Sequence, residues 1–201
     1  MKRVYLAFLI AMVFTLVAIT PGCDSSMEGY RTFTFDKVAH FSFEYPAHYR
    51  KYSAHATVEK STIAIGFLDR VPPKGSTYGY IHIFVEGASD SYPDAAAALE
   101  HTLSGFVEPG PYDEEEPQRL LERSSLTIAG IPAELIVYSY GYDRIWGESP
   151  GSVAILIRIA REVYFDHNGL IWNIVIESDE DRADVAEGDF EHLLETFQIL
   201  D

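Results

Sequence analysis

The residue patterns with chemical potential lie mostly in the second half of the chain. Gly147-Glu148-Ser149-Pro150-Gly151 has the G-x-S-x-G spacing of a hydrolase nucleophile. In such an elbow the backbone N–H after the serine helps to form the oxyanion hole. Pro150 has no N–H to offer, and the stretch leads into a strand pattern rather than a helix. It reads as a turn, and no catalytic residue is assigned. Glu177, Asp179, Glu180, Asp181 and Asp184 could gather oxygen ligands for Ca²⁺ or Mn²⁺. They lack the alternating-acid-plus-glycine layout of a calcium loop. Acids at a helix start are also stabilised by the helix dipole without any metal. Asp113–Glu116 reads as a solvated loop. The chain has seven histidines, and none forms a close pair at helical ligand spacing. His48 and His55 flank an ambiguous segment, while His101 and His192 fall on separate predicted helices. No metal site, phosphate loop, dinucleotide fingerprint or other cofactor motif is read. The expectation is a protein that is not an enzyme.

What remains is a binding surface. Tyr138, Tyr140 and Tyr142 share one face of a predicted strand, and Trp146 follows in the adjoining loop. Tyr78 and Tyr80 could extend the group. Tyrosine and tryptophan bury large areas while keeping a polar tip, which suits them to interface hot spots. The competing expectation is that a helix covers this face and the strand tyrosines are core.

Cys23 is the single cysteine, so no disulfide can form within the chain. Met1-Lys2-Arg3 is a short basic start, and Val4–Ile19 is a nearly unbroken apolar run without charge. That is the pattern of a secretory signal, short for a membrane span. Thr20-Pro21-Gly22-Cys23 resembles the lipobox of bacterial lipoproteins, although Thr20 stands where leucine is usual. The expectation is a signal peptide over 1–22, lipidation at Cys23, and a tether over 23–29. The domain would be extracytoplasmic and anchored to the cell membrane by lipid, or secreted if Cys23 is not lipidated.

The chain has 201 residues, 47% of them apolar, enough for one domain with a proper core. The net charge is −16, and removing Lys2 and Arg3 would make it more negative. Nucleic-acid binding needs concentrated basic charge and is excluded as a partner class.

These stretches need a scaffold, and the periodicity supplies one. Val153–Phe165 and Leu170–Ile176 alternate apolar residues around Asn168-Gly169, a pair suited to a tight hairpin turn. Alternation also predicts strands over 30–35, 38–45, 61–68, 78–86, 119–128 and 131–142. The period changes to helical after Ser91-Tyr92-Pro93-Asp94, with Ser91 as the expected cap and Ala95, Leu99, Thr102, Leu103 and Phe106 as one stripe. A last helix is expected over about 182–197, capped from 178–181, with Val185, Phe190, Leu193, Leu194 and Phe197 inward. Phe84, Leu156, Ile171 and Val175 lie on the second face of their strands, which should therefore be covered too. The fold class is α+β: a three-layer α-β-α sandwich around a central, mostly antiparallel sheet, in one domain over 30–201.

Phe41-Ser42-Phe43-Glu44-Tyr45-Pro46-Ala47-His48-Tyr49 resembles the opening strand of PsbP-like domains. Leu170–Ser178 followed by Phe190–Leu200 resembles the C-terminal strand and helix of that family. The resemblance spans the whole of 30–200 and implies an antiparallel sheet between helices. It also implies non-catalytic work: the family includes extrinsic photosystem II subunits, cyanobacterial lipoproteins and Mog proteins that bind a small GTPase. No residue pattern here points to a photosystem. The expectation is a membrane-tethered lipoprotein that binds or helps assemble another envelope or membrane protein. The alternative is a carrier of a small ligand or metal.

Overall fold

A computed structural model describes residues 29–37, 39–57, 62–69, 79–106, 118–145 and 153–200. In chain order its elements are β1 (Tyr30–Asp36), β2 (His40–Pro46), β3 (Tyr49–Thr57), β4 (Thr62–Asp69), β5 (Tyr80–Gly87), α1 (Ala95–Ser104), β6 (Arg119–Ile128), β7 (Ile131–Ile145), β8 (Val153–His167), β9 (Leu170–Asp179), α2 (Ala183–Thr196) and β10 (Gln198–Ile199). Seven strands form one sheet in the order β3-β4-β5-β9-β8-β7-β6, antiparallel throughout. The expected hairpin β8–β9 lies inside it. Asn168 and Gly169 turn it with φ of 51° and 73°, the left-handed values that this pair accepts at little cost.

The layers follow from the alternation. One face of the large sheet presents Ile63, Ile65, Phe67, Ile81, Ile83, Val163, Phe165, Trp172, Ile174 and Ile176. Against it pack Phe41 and Phe43 of β2 and Ala186, Phe190, Leu193 and Phe197 of the C-terminal segment. The Trp172 ring stacks on Phe165 and meets Phe41 and Phe197 edge-on, the arrangements aromatic quadrupoles favour. The opposite face is covered over one part by α1, through Ala95 and Leu99 on Ile136, Ala160, Tyr164 and Ile171.

The α+β three-layer architecture is therefore present, and five local expectations change. The outer layer holding α2 also contains a small sheet, β1-β2-β10. Its last strand is only two residues long, too short to register as a period. The cap of α1 is Asp94, not Ser91: the Asp94 carboxylate accepts from the Ala97 N–H at 2.8 Å, three residues on. Ser178 lies within β9 and is buried, and a 3-10 turn over Glu180–Arg182 leads into α2. Val185 is 55% exposed while Asp189 is buried, because α2 presents Ala186, Asp189, Phe190 and Leu193 to the sheet. Phe84 is 40% exposed, because α1 covers the sheet farther along.

Candidate functional site: the α1 face of the sheet

The α1 side of the large sheet is lined by polar and aromatic residues where a core face would carry aliphatics. Strand register places them in rows. His82 stands opposite Val175, which faces Glu162; Phe84 faces Asn173, which faces Tyr164; Tyr80 faces Glu177. Successive alternate residues thus build one surface across β5, β9, β8 and β7.

At its buried end lies Glu162, only 7% exposed. Its carboxylate accepts hydrogen bonds from the Tyr138 hydroxyl at 2.5 Å, the Asn173 side-chain amide at 3.1 Å, and the Tyr164 hydroxyl. Tyr164 spends its proton on Glu162, so the Thr102 hydroxyl, 2.9 Å away, donates to it. The chain Thr102–Tyr164–Glu162 ties α1 to β8. Burial first, and then the Glu162 charge, raise the Tyr138 and Tyr164 pKa values far above the usual 10. Both phenols remain donors at physiological pH, and neither is an activated nucleophile.

A second cluster lies alongside. Arg158 donates to Glu177 at 3.2 Å and pairs with Asp179 at 3.7 Å, while its guanidinium sits 5.0 Å from the Tyr80 ring centre. The Tyr140 hydroxyl donates to the same Glu177 oxygen at 2.8 Å. Burial and Glu177 raise the Tyr140 pKa as well. Glu177 and Asp179, which head the acidic run, thus pair with an arginine. Among the described residues no group of three His, Cys, Asp or Glu side chains could hold a metal ion.

Beyond these clusters the face opens. Tyr80, His82 and Phe84 form a ladder along β5, with ring centroids 5.8 and 5.6 Å apart. Tyr52 joins from β3, where it is the extra residue of a bulge, and is 50% exposed. Its hydroxyl lies 2.6 Å from His82 Nε2. A Cβ at Gly66 would come within 2.5 Å of the Tyr52 ring, so the glycine makes room for that ring. Burial lowers the His82 pKa, which keeps the imidazole neutral and suited to aromatic neighbours. Burial raises the Tyr52 pKa, so this pair too is no poised base and nucleophile. Phe84 ends the ladder at a cavity beside α1.

Tyr138 and Tyr140 belong to this face, with different exposures. Tyr138 is 9% exposed, its ring under Phe106 at the end of α1, and it forms part of the floor. Tyr140 is half-buried. Tyr142 pairs with Leu156 in the ladder of β7 and β8. The Tyr142 side chain, Trp146, Tyr78, Cys23 and the Gly147–Gly151 stretch lie outside the described residues. Tyr52, His82 and Glu162 are not singled out by spacing, and Phe84 is singled out only as a second-face residue expected to be covered. The signal for them is the run of rings and charges at alternate positions of otherwise apolar strands.

No protein-family model matches the chain, and no curated protein matches it. Among solved structures, the large antiparallel sheet between its outer layers defines a PsbP-like fold. The cyanobacterial PsbP, CyanoP, of Synechocystis sp. PCC 6803 superposes with a TM-score of 0.53 at 12% identity, over 91% of this chain and 99% of that one. LpqN of Mycobacterium tuberculosis, described as involved in cell envelope biogenesis, superposes with a TM-score of 0.51 at 13% identity, over 87% and 93%. At these identities the likeness is one of fold. Among the described residues no helix is long and apolar enough to cross a membrane.

Proposed function

We propose that this chain is a non-catalytic, membrane-tethered extracytoplasmic lipoprotein that binds, or helps assemble, another envelope or membrane protein. The observation that carries this reading is the open aromatic ladder Tyr80–His82–Phe84 with Tyr52, on a sheet face that α1 leaves partly uncovered. Exposed rings with polar tips suit a protein interface. The surrounding phenols and carboxylates hold one another as donors and acceptors, which stiffens the platform rather than arming it. The leader and Cys23 supply the address, and the envelope role stated for LpqN agrees with it. Tyr140, Tyr142 and Trp146 belong to the proposed contact surface, and the Tyr138 ring lies against that of Tyr140.

The test is in-cell crosslinking of the tagged full-length protein, followed by detergent extraction and mass spectrometry. A specific membrane partner should be recovered, and Tyr52→Ser with Phe84→Ser should reduce its yield about fivefold or more, as for hot-spot residues. Trp146→Ala tests the adjoining loop. Recovery unchanged by all three substitutions would sink the assignment of the surface. The carrier reading rests on the cavity beside α1. A small molecule or metal co-purifying in stoichiometric amount would favour it.

A further inference from the structure

The cavity at the end of the ladder has a volume of about 260 Å³. That is below the roughly 300–1,000 Å³ of pockets for drug-sized ligands and suits a single long side chain. Four rings, those of Phe84, Tyr92, Tyr164 and His101, form part of its wall. Among the described residues no lysine or arginine lines it, while Glu86 does. Among the described residues Glu86 has no ion-pair partner. Directly behind Tyr164 and Asn173 lies the Glu162 carboxylate. Both carboxylates act on the Tyr164 hydroxyl and raise its pKa, so the field of two negative charges reaches the cavity.

We propose that this cavity receives the cationic end of one lysine or arginine side chain from a protein partner. The proposal rests on the partner-binding reading above and names the chemistry of the contact. An alkyl stem would pack on Phe84 and Ile171 while its charge faced the rings and Glu86. An anionic group would be repelled by Glu86 and Glu162. A wholly apolar group would leave Glu86 desolvated without a partner. The net charge of −16 steers basic partners towards the molecule as a whole.

The experiment is an NMR titration of the isotope-labelled full chain in detergent. The probes are the Nα-acetyl methylamides of lysine and arginine, with the norleucine derivative as a stem without charge. The lysine and arginine probes should shift amides of Thr62, Phe84, Glu86, His101 and Asn173, and the norleucine probe should bind more weakly. Glu86→Gln should weaken the lysine probe about two- to fivefold, the effect of a partly exposed ion pair. Phe84→Leu, which keeps an apolar side chain, should weaken the charged probes more than norleucine. The proposal is overturned if norleucine binds as well as lysine, if Glu86→Gln changes nothing, or if the shifts fall elsewhere. These outcomes separate from the fate of the partner reading. A crosslinked partner recovered equally with Glu86→Gln removes the cavity and leaves the partner. Probe binding as expected with no partner in cells keeps the cation site and removes the partner.

Discussion

Glu162 concentrates the chemistry of this molecule into a structural task. A buried carboxylate is costly unless its oxygens are occupied, and Tyr138, Tyr164 and Asn173 occupy them. Replacing it by leucine would strand three donors, so Glu162→Leu should cost roughly 3 kcal/mol or more in denaturant unfolding. The phenols also make stability depend on pH at the alkaline end. Tyr138, Tyr140 and Tyr164 have folded pKa values raised above the unfolded value of 10.0. A raised pKa favours the protonated form in the fold, so this stability is complete below pH 10. It is lost as pH climbs from there towards the folded pKa values. An ultraviolet absorbance titration should show these phenols ionising only as the protein unfolds. Ionisation near pH 10 in the folded protein would contradict the buried network.

At the scale of elements, α1 is the piece that defines the site, because its length fixes how much of the sheet stays open. It is ten residues long and buries only Ala95 and Leu99 fully. Polar ties add to this apolar packing in fixing its position. Asp94 caps it locally, and Asp166 at the end of β8 accepts from the Ala95 N–H at 2.9 and 3.1 Å. An acid at a helix N-terminus satisfies an orphan donor and complements the dipole. Asp166→Ala should therefore destabilise the protein by about 1 kcal/mol. Hydrogen exchange should quicken in α1 and leave β8 and β9 slow. Equal loosening of all three would mean that Asp166 does not act through the helix.

At the scale of the whole molecule, the described residues join a seven-stranded sheet to a face that α1 leaves partly open, in a chain of net charge −16. At this scale the prediction concerns the anchor. Intact mass of the membrane-extracted protein should place the mature N-terminus at Cys23, with lipid attached, and Cys23→Ser should accumulate with residues 1–22 still joined. A cleaved chain with an unmodified Cys23 would remove the lipoprotein reading and leave a secreted one.

Much of the fold is legible in the sequence, because a period of two along Val153–Phe165 and Leu170–Ile176 leaves a chain few ways to bury both apolar sets. The Asn168-Gly169 turn is local chemistry, and it stands where the residues demand. The leader pattern and Cys23 are local in the same sense. The platform of Tyr52, His82 and Phe84 could not be read this way. Tyr52 meets His82 across 30 positions of sequence, and Asp166 caps a helix that begins 71 residues earlier. Such partners are set by strand order, bulge placement and helix length together. Whether Phe84 was to be core or contact depended on where a ten-residue helix ended over the sheet, a balance of packing that no local spacing encodes.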